Sequence, residues 1–317
     1  MSTEVQSQAS GVALRCKSWD HGNLPAMDLW RAERFYTHVL DGAITNKLGM
    51  TFRAVANGGP APAAFVEFGR ANVGFFLQGR HEIPRPPALT APWPCWAFEV
   101  ADEELDGLVA RIRAEGMEVL DDTAALHGPI AKPRCVRTVD TEGNCIELIA
   151  AGGGKYNGYA VKGLDHVHVE ATDVQRSVDF YTRYLGFEVV GEGPALVALR
   201  VPSGQHWFLH EVAELSPASA VFFRGAHFAF LVDEPMFEGI RDRVRADGLE
   251  EGPTFGPPEQ RGGFARQYGA ASAVNAARVE EVTGTYFPAP DGVWVEIIGR
   301  GLEEAYRGKP KVRYVVS

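Results

Sequence analysis

The sequence is poor in the features that mark membrane, secreted and nucleic-acid-binding proteins. Its 317 residues contain no run that approaches the roughly 18–20 apolar residues of a membrane span. No basic segment followed by an apolar one begins the chain, so a secretory signal is not expected. Acidic residues outnumber basic ones by 41 to 31, and the net charge of −10 excludes the basic footprint of a nucleic-acid-binding protein.

Cysteine is also scarce. The four cysteines form no CxxC pair; they are Cys16, Cys95, Cys135 and Cys145. This usage is typical of a reduced chain, and we expect a cytoplasmic protein. The length predicts about two domains.

The most informative feature that is present is an internal repeat. The stretch HGNLPAMDLWRAERFYTHVL begins at His21, and HVHVEATDVQRSVDFYTRYL begins 145 residues later at His166. LVARIRAEGME likewise matches IRDRVRADGLE, and DTEGNCIEL matches APDGVWVEI. The order of the matches predicts two homologous halves at 13–152 and 162–301. They follow a disordered lead (1–12), are joined by a Gly-rich linker (153–161) and precede a tail (302–317).

Each half has the pattern of two βαβββ modules, which gives four modules and an α+β fold. In the second half a short strand precedes a helix predicted over 174–185, where Val178, Tyr181 and Leu185 lie on one face. Asp173 stands at the N-cap position, and Asp28 is its counterpart in the first half. Further strands follow, and a second strand–helix unit ends in a strand after a Pro-Asp-Gly turn.

Three side chains of the second half suit a metal site. His166 and His227 lie on the opening strands of its two modules, and Glu296 lies on the last strand. If they converge, two imidazoles and one carboxylate leave positions open on Fe(II), Mn(II) or another divalent ion.

The first half has a related but incomplete set. It keeps His21 and Glu147, but Cys95 stands where the second half has His227. We therefore expect a degenerate site there, with binding of a softer metal as the alternative.

At the level of motifs, the sequence resembles the vicinal oxygen chelate superfamily, which includes glyoxalases, epimerases, antibiotic-resistance binders and extradiol dioxygenases. The resemblance rests on DHVHVEATDVQRSVDFYTRYLG, AHFAFLV and YFPAPDGVWVEI and covers residues from about 15 to 300. It implies that the modules pair into two cupped mixed-sheet barrels, the second around a metal. It also implies a homo-oligomer.

Two fused halves most resemble an extradiol dioxygenase that uses Fe(II) and O2 to cleave a catechol-like aromatic ring. This implies catalytic roles for Tyr286, ten residues before the glutamate, for a second-shell histidine at His206 or His210, and for His168 as a polar pocket residue. The sequence departs from that family by lacking its Gly-x-His before the tyrosine and by an enlarged loop at 261–281.

Two other functions stay open. A glyoxalase- or epimerase-like isomerase would use Ni, Co or Zn and a fourth ligand on the strand before His227, where His210 lies 17 residues upstream. A small-molecule binding protein without a metal would not need the three predicted ligands to converge.

Overall fold

The computed structural model describes residues 13–48, 63–77, 84–222, 227–249, 254–255, 284–299 and 311. The helices in these ranges are α1 (Leu29–Arg34), α2 (Asp102–Ala114), α3 (Val174–Leu185), α4 (Pro217–Phe222) and α5 (Glu234–Ala246). A π-helical turn (Phe35–Val39) continues α1, and a 3₁₀ turn covers Ala124–His127.

Sixteen strands are present in the described ranges. Those of the first half are β1 (Ser18–Ala26), β2 (Ala43–Leu48), β3 (Ala63–Phe68), β4 (Ala71–Leu77), β5 (Cys95–Val100), β6 (Val119–Leu120), β7 (Cys135–Val139) and β8 (Cys145–Ala150). Those of the second half are β9 (Val161–Ala171), β10 (Glu188–Gly193), β11 (Leu196–Arg200), β12 (His206–Glu211), β13 (His227–Leu231), β14 (Thr254–Phe255), β15 (Gly284–Pro288) and β16 (Trp294–Ile298).

Four βαβββ modules form two eight-stranded mixed sheets, which confirms the predicted α+β class. Sheet A has the order β14-β15-β16-β13-β1-β4-β3-β2, and sheet B has the order β10-β11-β12-β9-β5-β8-β7-β6. Both orders are linear and have two edge strands. The sheets are therefore cupped, as expected, and neither closes into a full barrel within the described ranges.

The modules pair across the halves. Sheet A joins the first module to the fourth through antiparallel β1 and β13, and sheet B joins the second to the third through antiparallel β5 and β9. We had expected each half to build its own barrel from 13–152 or from 162–301. A sequence repeat identifies which modules are equivalent. It does not determine which two modules pair in a sheet, because the opening strand of every module has a similar edge available for pairing.

Local signals in the sequence fix the helix ends. Asp173 accepts a hydrogen bond from the backbone N–H of Arg176 at 3.0 Å, as an N-cap does. Gly186 ends α3 in the left-handed conformation, with φ of 69°. Asp28 caps α1 in the same way, accepting from the N–H groups of Trp30 and Arg31. Both predicted caps are confirmed.

A cluster of large aromatic rings joins the two sheets. Trp19 on β1 lies 5.8 Å from Trp96 on β5 and 5.9 Å from Trp207 on β12, measured between ring centroids. Phe228 on β13 stacks on Trp96 at 4.6 Å. A Cβ atom on Gly22 would lie 1.8 Å from the Trp96 ring, so this close approach requires glycine on β1. The shared core makes each sheet depend on both halves of the sequence.

Each half also carries a buried tyrosine–aspartate bond between its two modules. Tyr36, which follows α1, donates to Asp140 at 2.8 Å, and Tyr181 on α3 donates to Asp291 at 3.0 Å. Burial raises the pKa of both carboxyl groups to about 6. Because the two modules of a half belong to different sheets, these bonds tie sheet A to sheet B.

Within the described ranges, none of the helices has the length and apolar character needed to cross a bilayer. The four cysteines are all free thiols, and all are buried.

The Asp291 carboxyl should make stability depend on pH. Its pKa is raised from 3.8 to about 6 in the folded chain, so the proton it holds stabilises the fold below pH 4, and this contribution is lost as the pH rises through about 6. The unfolding free energy of wild type relative to Asp291→Asn should therefore fall between pH 4 and pH 7. Urea titrations across this range measure the difference. A flat difference, equal to that of the exposed control Asp179→Asn, would contradict the assignment.

Candidate metal centre

Two clusters of metal-ligating side chains lie in the described part of the structure, one on each sheet. The sheet A cluster consists of His21, His227 and Glu296, and the sheet B cluster consists of His127, Glu147, His166 and His168. In each cluster, one ligand atom per residue lies within 4.8 Å of all the others. Every member is buried.

The sheet A cluster combines ligands from opposite ends of the chain. His21 lies on β1, His227 on its antiparallel neighbour β13, and Glu296 on β16, which is parallel to β13. Glu296 Oε2 lies 2.6 Å from His227 Nε2 and 3.3 Å from His21 Nε2. The pairing of the first and fourth modules therefore creates a set of two imidazoles and one carboxylate.

A β-bulge orients the His21 ring. The register between β1 and β13 shifts between Trp19 and His21, which leaves Asp20 as the extra residue. Asp20 Oδ2 lies 2.8 Å from His21 Nδ1 and accepts its proton in a hydrogen bond, so the ring turns Nε2 toward Glu296. A carboxylate behind the outer nitrogen is the usual support of a metal-ligating histidine.

The electrostatics of the sheet A cluster suit a cation. Glu296 Oε2 is buried and has no hydrogen-bond partner, although two imidazole nitrogens face it. Burial by itself raises the pKa of Glu296, but the imidazoles of His227 and His21 outweigh it and lower the pKa to about 2. Burial lowers the pKa of His21, but Asp20 and Glu296 raise it to about 9. Three donor atoms thus converge around an ionised carboxylate, and the residues fit a divalent metal.

Among the described residues, the sheet A cluster has three ligands and not four. Gly74 on β4 pairs with Asn23 and occupies the place in the first module that Glu296 occupies in the fourth. A Cβ atom there would lie 1.9 Å from Asn23 Oδ1. Asn23 in turn places its amide nitrogen 2.7 Å from His227 Nε2. The place equivalent to Glu296 therefore holds the neutral Asn23 amide and no ionisable side chain.

Aromatic rings line the same face of sheet A. The Tyr286 ring lies 4.9 Å from the His227 ring, and the Phe76 ring lies 6.0 Å from it. Phe65 lies 6.3 Å from His21. Tyr286 pairs with Glu296 across β15 and β16. The metal ligands therefore lie beside a surface that suits a flat apolar ring.

The sheet B cluster has different neighbours at the equivalent positions. Arg137 pairs with Glu147 across β7 and β8, as Tyr286 pairs with Glu296, and donates from Nε to Glu147 Oε1 at 2.6 Å. Burial raises the pKa of Glu147, but Arg137 outweighs it, and the pKa lies well below its usual range. Burial holds the pKa of His168 well below its usual value, so this imidazole is neutral.

The structure divides the metal ligands predicted from the sequence. His227 and Glu296 lie together in sheet A, but His166 lies in sheet B beside Glu147. The single centre of His166, His227 and Glu296 is therefore corrected, and His21 takes the place assigned to His166. The reason is the pairing of modules across the halves, because His166 opens the third module and His227 opens the fourth.

The predicted catalytic residues are divided as well. Tyr286 lies beside His227, as expected. His168 and His210 lie in sheet B, where His168 Nδ1 is 2.7 Å from His210 Nε2. His206 lies at the edge of the same cluster, 3.0 Å from the Lys132 amine. These three histidines are not at the sheet A cluster.

The proposed first-half set is also divided between the sheets. Cys95 pairs with Cys145 in sheet B, in the same sheet as Glu147, whereas His21 lies in sheet A. The loop at 261–281 lies outside the described residues.

Sequence reasoning missed several residues of the two clusters. Asp20, Asn23 and His127 were not predicted from the sequence. One signal for the first was present, since an Asp-His dipeptide occurs at 20–21 and again at 165–166. The second dipeptide repeats the geometry: β9 has a bulge at Asp165, whose Oδ1 lies 2.7 Å from His166 Nδ1.

Paired βαβββ modules with histidine and glutamate ligands on the face of a sheet define a vicinal oxygen chelate protein. In agreement, residues 163–297 match the model of the Glyoxalase/Bleomycin resistance protein/Dioxygenase superfamily. The matched residues comprise most of the third and fourth modules, and the first two modules repeat their topology. No curated protein matches the chain by sequence.

Solved structures with the same architecture cover nearly the whole chain. A Bacillus subtilis protein, assigned provisionally as a dioxygenase, is 14% identical with a TM-score of 0.64 over 92% of this chain and 88% of its own. Glyoxalase I from Zea mays is 16% identical with a TM-score of 0.54 over 90% of this chain and 92% of its own. At these identities the likeness shows the fold alone.

Asp20 should control metal affinity at sheet A. In Asp20→Asn, the amide supports the His21 ring less strongly, and we expect Fe(II) to bind about 10- to 100-fold more weakly. Anaerobic titration of the metal-free chain measures this. Asp165→Asn is the matched control, because it changes the equivalent bulge in sheet B, and it should leave Fe(II) binding at sheet A unchanged. Equal effects of both substitutions would contradict the local role of Asp20.

Proposed function

We propose that the protein is an extradiol-type dioxygenase that holds Fe(II) at His21, His227 and Glu296 and cleaves a small catechol-like aromatic ring with O2. The observation that carries the proposal is the three-ligand set in sheet A, which has no protein ligand at the place of Gly74. Two histidines and one carboxylate with open positions are typical of non-haem Fe(II) oxygenases. Mn(II) fits the same ligands.

The ligand set suits the charge of the proposed reaction. Two neutral imidazoles and one carboxylate leave Fe(II) with a net charge of about +1, which favours a bound catecholate. Iron there would supply redox coupling between the aromatic substrate and O2. The burial of all three ligands reduces access of bulk water to this reaction.

Other residues of the sheet A face bind and orient. Asp20 holds Nδ1 of His21, so the ring presents Nε2 to the metal position. Phe65 and Phe76 offer apolar surface to a flat ring. The Tyr286 ring lies 4.9 Å from the His227 ring, and we assign its phenol the role of hydrogen-bond donor to the bound substrate. His206, His210 and His168 have no part in this assignment.

A divalent-metal isomerase is less well supported. It needs a fourth protein ligand, and the candidate His210 lies in sheet B, away from His227. The likeness to glyoxalase I concerns the fold and does not favour isomerase chemistry. A metal-free binding protein is disfavoured because it does not need His21, His227 and Glu296 to converge.

The cytoplasm is the proposed location. Four free, buried cysteines agree with a reducing compartment, which would also keep the proposed iron in its ferrous state.

Removing the sheet A carboxylate should abolish both iron binding and turnover. In Glu296→Gln, the neutral amide replaces the only anionic ligand, and we expect the iron content of anaerobically purified protein to fall to background. O2 uptake with a panel of catechols should fall at least about 100-fold. The control is His206→Asn, a histidine outside the sheet A cluster, which should keep iron and O2 uptake within about twofold of wild type.

Other results would redirect the assignment. Nickel, cobalt or zinc in place of iron, with isomerase activity, would favour the isomerase. Wild-type turnover in Glu296→Gln would overturn the sheet A centre. Loss of turnover in His206→Asn, with normal folding, would move the reaction to sheet B.

A further inference from the structure

We propose that the sheet B cluster is a second metal site, closed and structural, that binds a zinc-class divalent ion through His127, Glu147, His166 and His168. It goes beyond the proposed function, because none of these residues takes part in the sheet A reaction. The four ligands come from three elements that are distant in sequence: the 3₁₀ turn, β8 and β9. An ion would thus join the second module to the third.

The donor atoms have the spacing of a tetrahedral site. Glu147 Oε2 lies 3.0 Å from His127 Nε2 and 3.3 Å from His166 Nε2. His166 Nε2 and His168 Nε2 lie 3.0 Å apart, and His168 Nε2 lies 3.4 Å from Glu147 Oε1. Ligands at 2.0–2.1 Å from tetrahedral zinc are separated by about 3.3 Å. The separations of 3.0, 3.0 and 3.3 Å match this spacing, and all four donor atoms lie within 4.8 Å of one another, as one four-coordinate ion requires.

The outer nitrogens of two histidines are occupied, which directs their inner lone pairs at the cluster. His166 donates Nδ1–H to Asp165, because this carboxylate only accepts, so Nε2 is the nitrogen that a metal would bind. His168 Nδ1 lies 2.7 Å from His210 Nε2 and can donate to it. Both inner nitrogens face each other and the Glu147 carboxylate. A cation at the centre would bind these nitrogens and the carboxylate together.

The site is closed, in contrast to the sheet A cluster. Phe208 on β12 pairs with His168, as Gly74 pairs with Asn23, and its ring stacks on the His168 ring at 5.1 Å. His127 supplies a fourth ligand, and all four ligands are at most 1% exposed. Four protein ligands and no room for substrate are typical of structural zinc sites.

Arg137 leaves the ligating oxygen of Glu147 available. It donates to Oε1, whereas Oε2 faces His127 and His166. Cys135 also directs its thiol at Oε2, 2.9 Å away, and an ion would displace that proton. Because Arg137 offsets the charge of Glu147, binding depends on the three imidazoles, which favours zinc over magnesium or calcium.

The test separates the two sites by disabling sheet A. The His227→Asn chain, stripped with a chelator and reconstituted with Zn(II), should hold about one zinc per chain after desalting. Co(II) in the same variant should give the intense visible absorption of a four-coordinate ion. Adding His127→Asn or His168→Asn should remove both signals, and zinc should raise the melting temperature only while the sheet B ligands are intact.

Internal controls keep the outcome interpretable. His127→Asn alone should keep iron at sheet A, which shows that the variant folds. If His227→Asn holds no zinc, or keeps it when His127 and His168 are both replaced, the second site is refuted. If wild type binds one ion that His227→Asn loses, only the proposed dioxygenase centre stands. If His227→Asn keeps normal iron and turnover while the zinc site behaves as expected, only the second site stands.

Discussion

The antiparallel pairing of β1 with β13, and of β5 with β9, is the constraint on which both clusters depend. Each opening strand has one side paired within its module and one side free, and backbone N–H and C=O groups on a free side need partners. When these edges pair across the halves, β1 with His21 lies next to β13 with His227. In the other sheet, β9 with His166 lies next to β5, which pairs in turn with β8, the strand of Glu147. The backbone hydrogen bonds between strands therefore decide which ligand side chains meet, although the ligand atoms themselves take no part in those bonds.

The same scaffold yields two different chemical environments through a few substitutions at equivalent positions. Gly74 lets the Asn23 side chain lie beside the sheet A ligands, whereas the Phe208 ring lies at the equivalent place in sheet B. Tyr286 offers a phenol opposite Glu296, whereas Arg137 forms a buried ion pair with Glu147. Volume and charge next to the carboxylate thus distinguish the proposed dioxygenase centre from the proposed zinc site.

Because each sheet contains strands of both halves, the halves cannot be stable separately. The ring cluster of Trp19, Trp96, Trp207 and Phe228 lies between the sheets, and the two tyrosine–aspartate bonds connect modules of different sheets. A substitution that loosens this core would therefore disturb the sheet A ligands from a distance, since a shift between β1 and β13 changes the separation of His21 and His227.

The sequence by itself determined the modules: the repeat, the apolar spacing of α3, the caps at Asp28 and Asp173, and the residue types that bind metal were all readable, because they depend on local chemistry. It also indicated Tyr286 as a neighbour of the predicted ligands, and its ring lies beside that of His227. The composition of the site depended on the tertiary structure, because His166 and His21 occupy equivalent positions in similar motifs and nothing local distinguishes their partners. The bulges that orient their rings, and the arrival of His127 from a 3₁₀ turn, follow from strand register and chain path, which only the packed sheets fix.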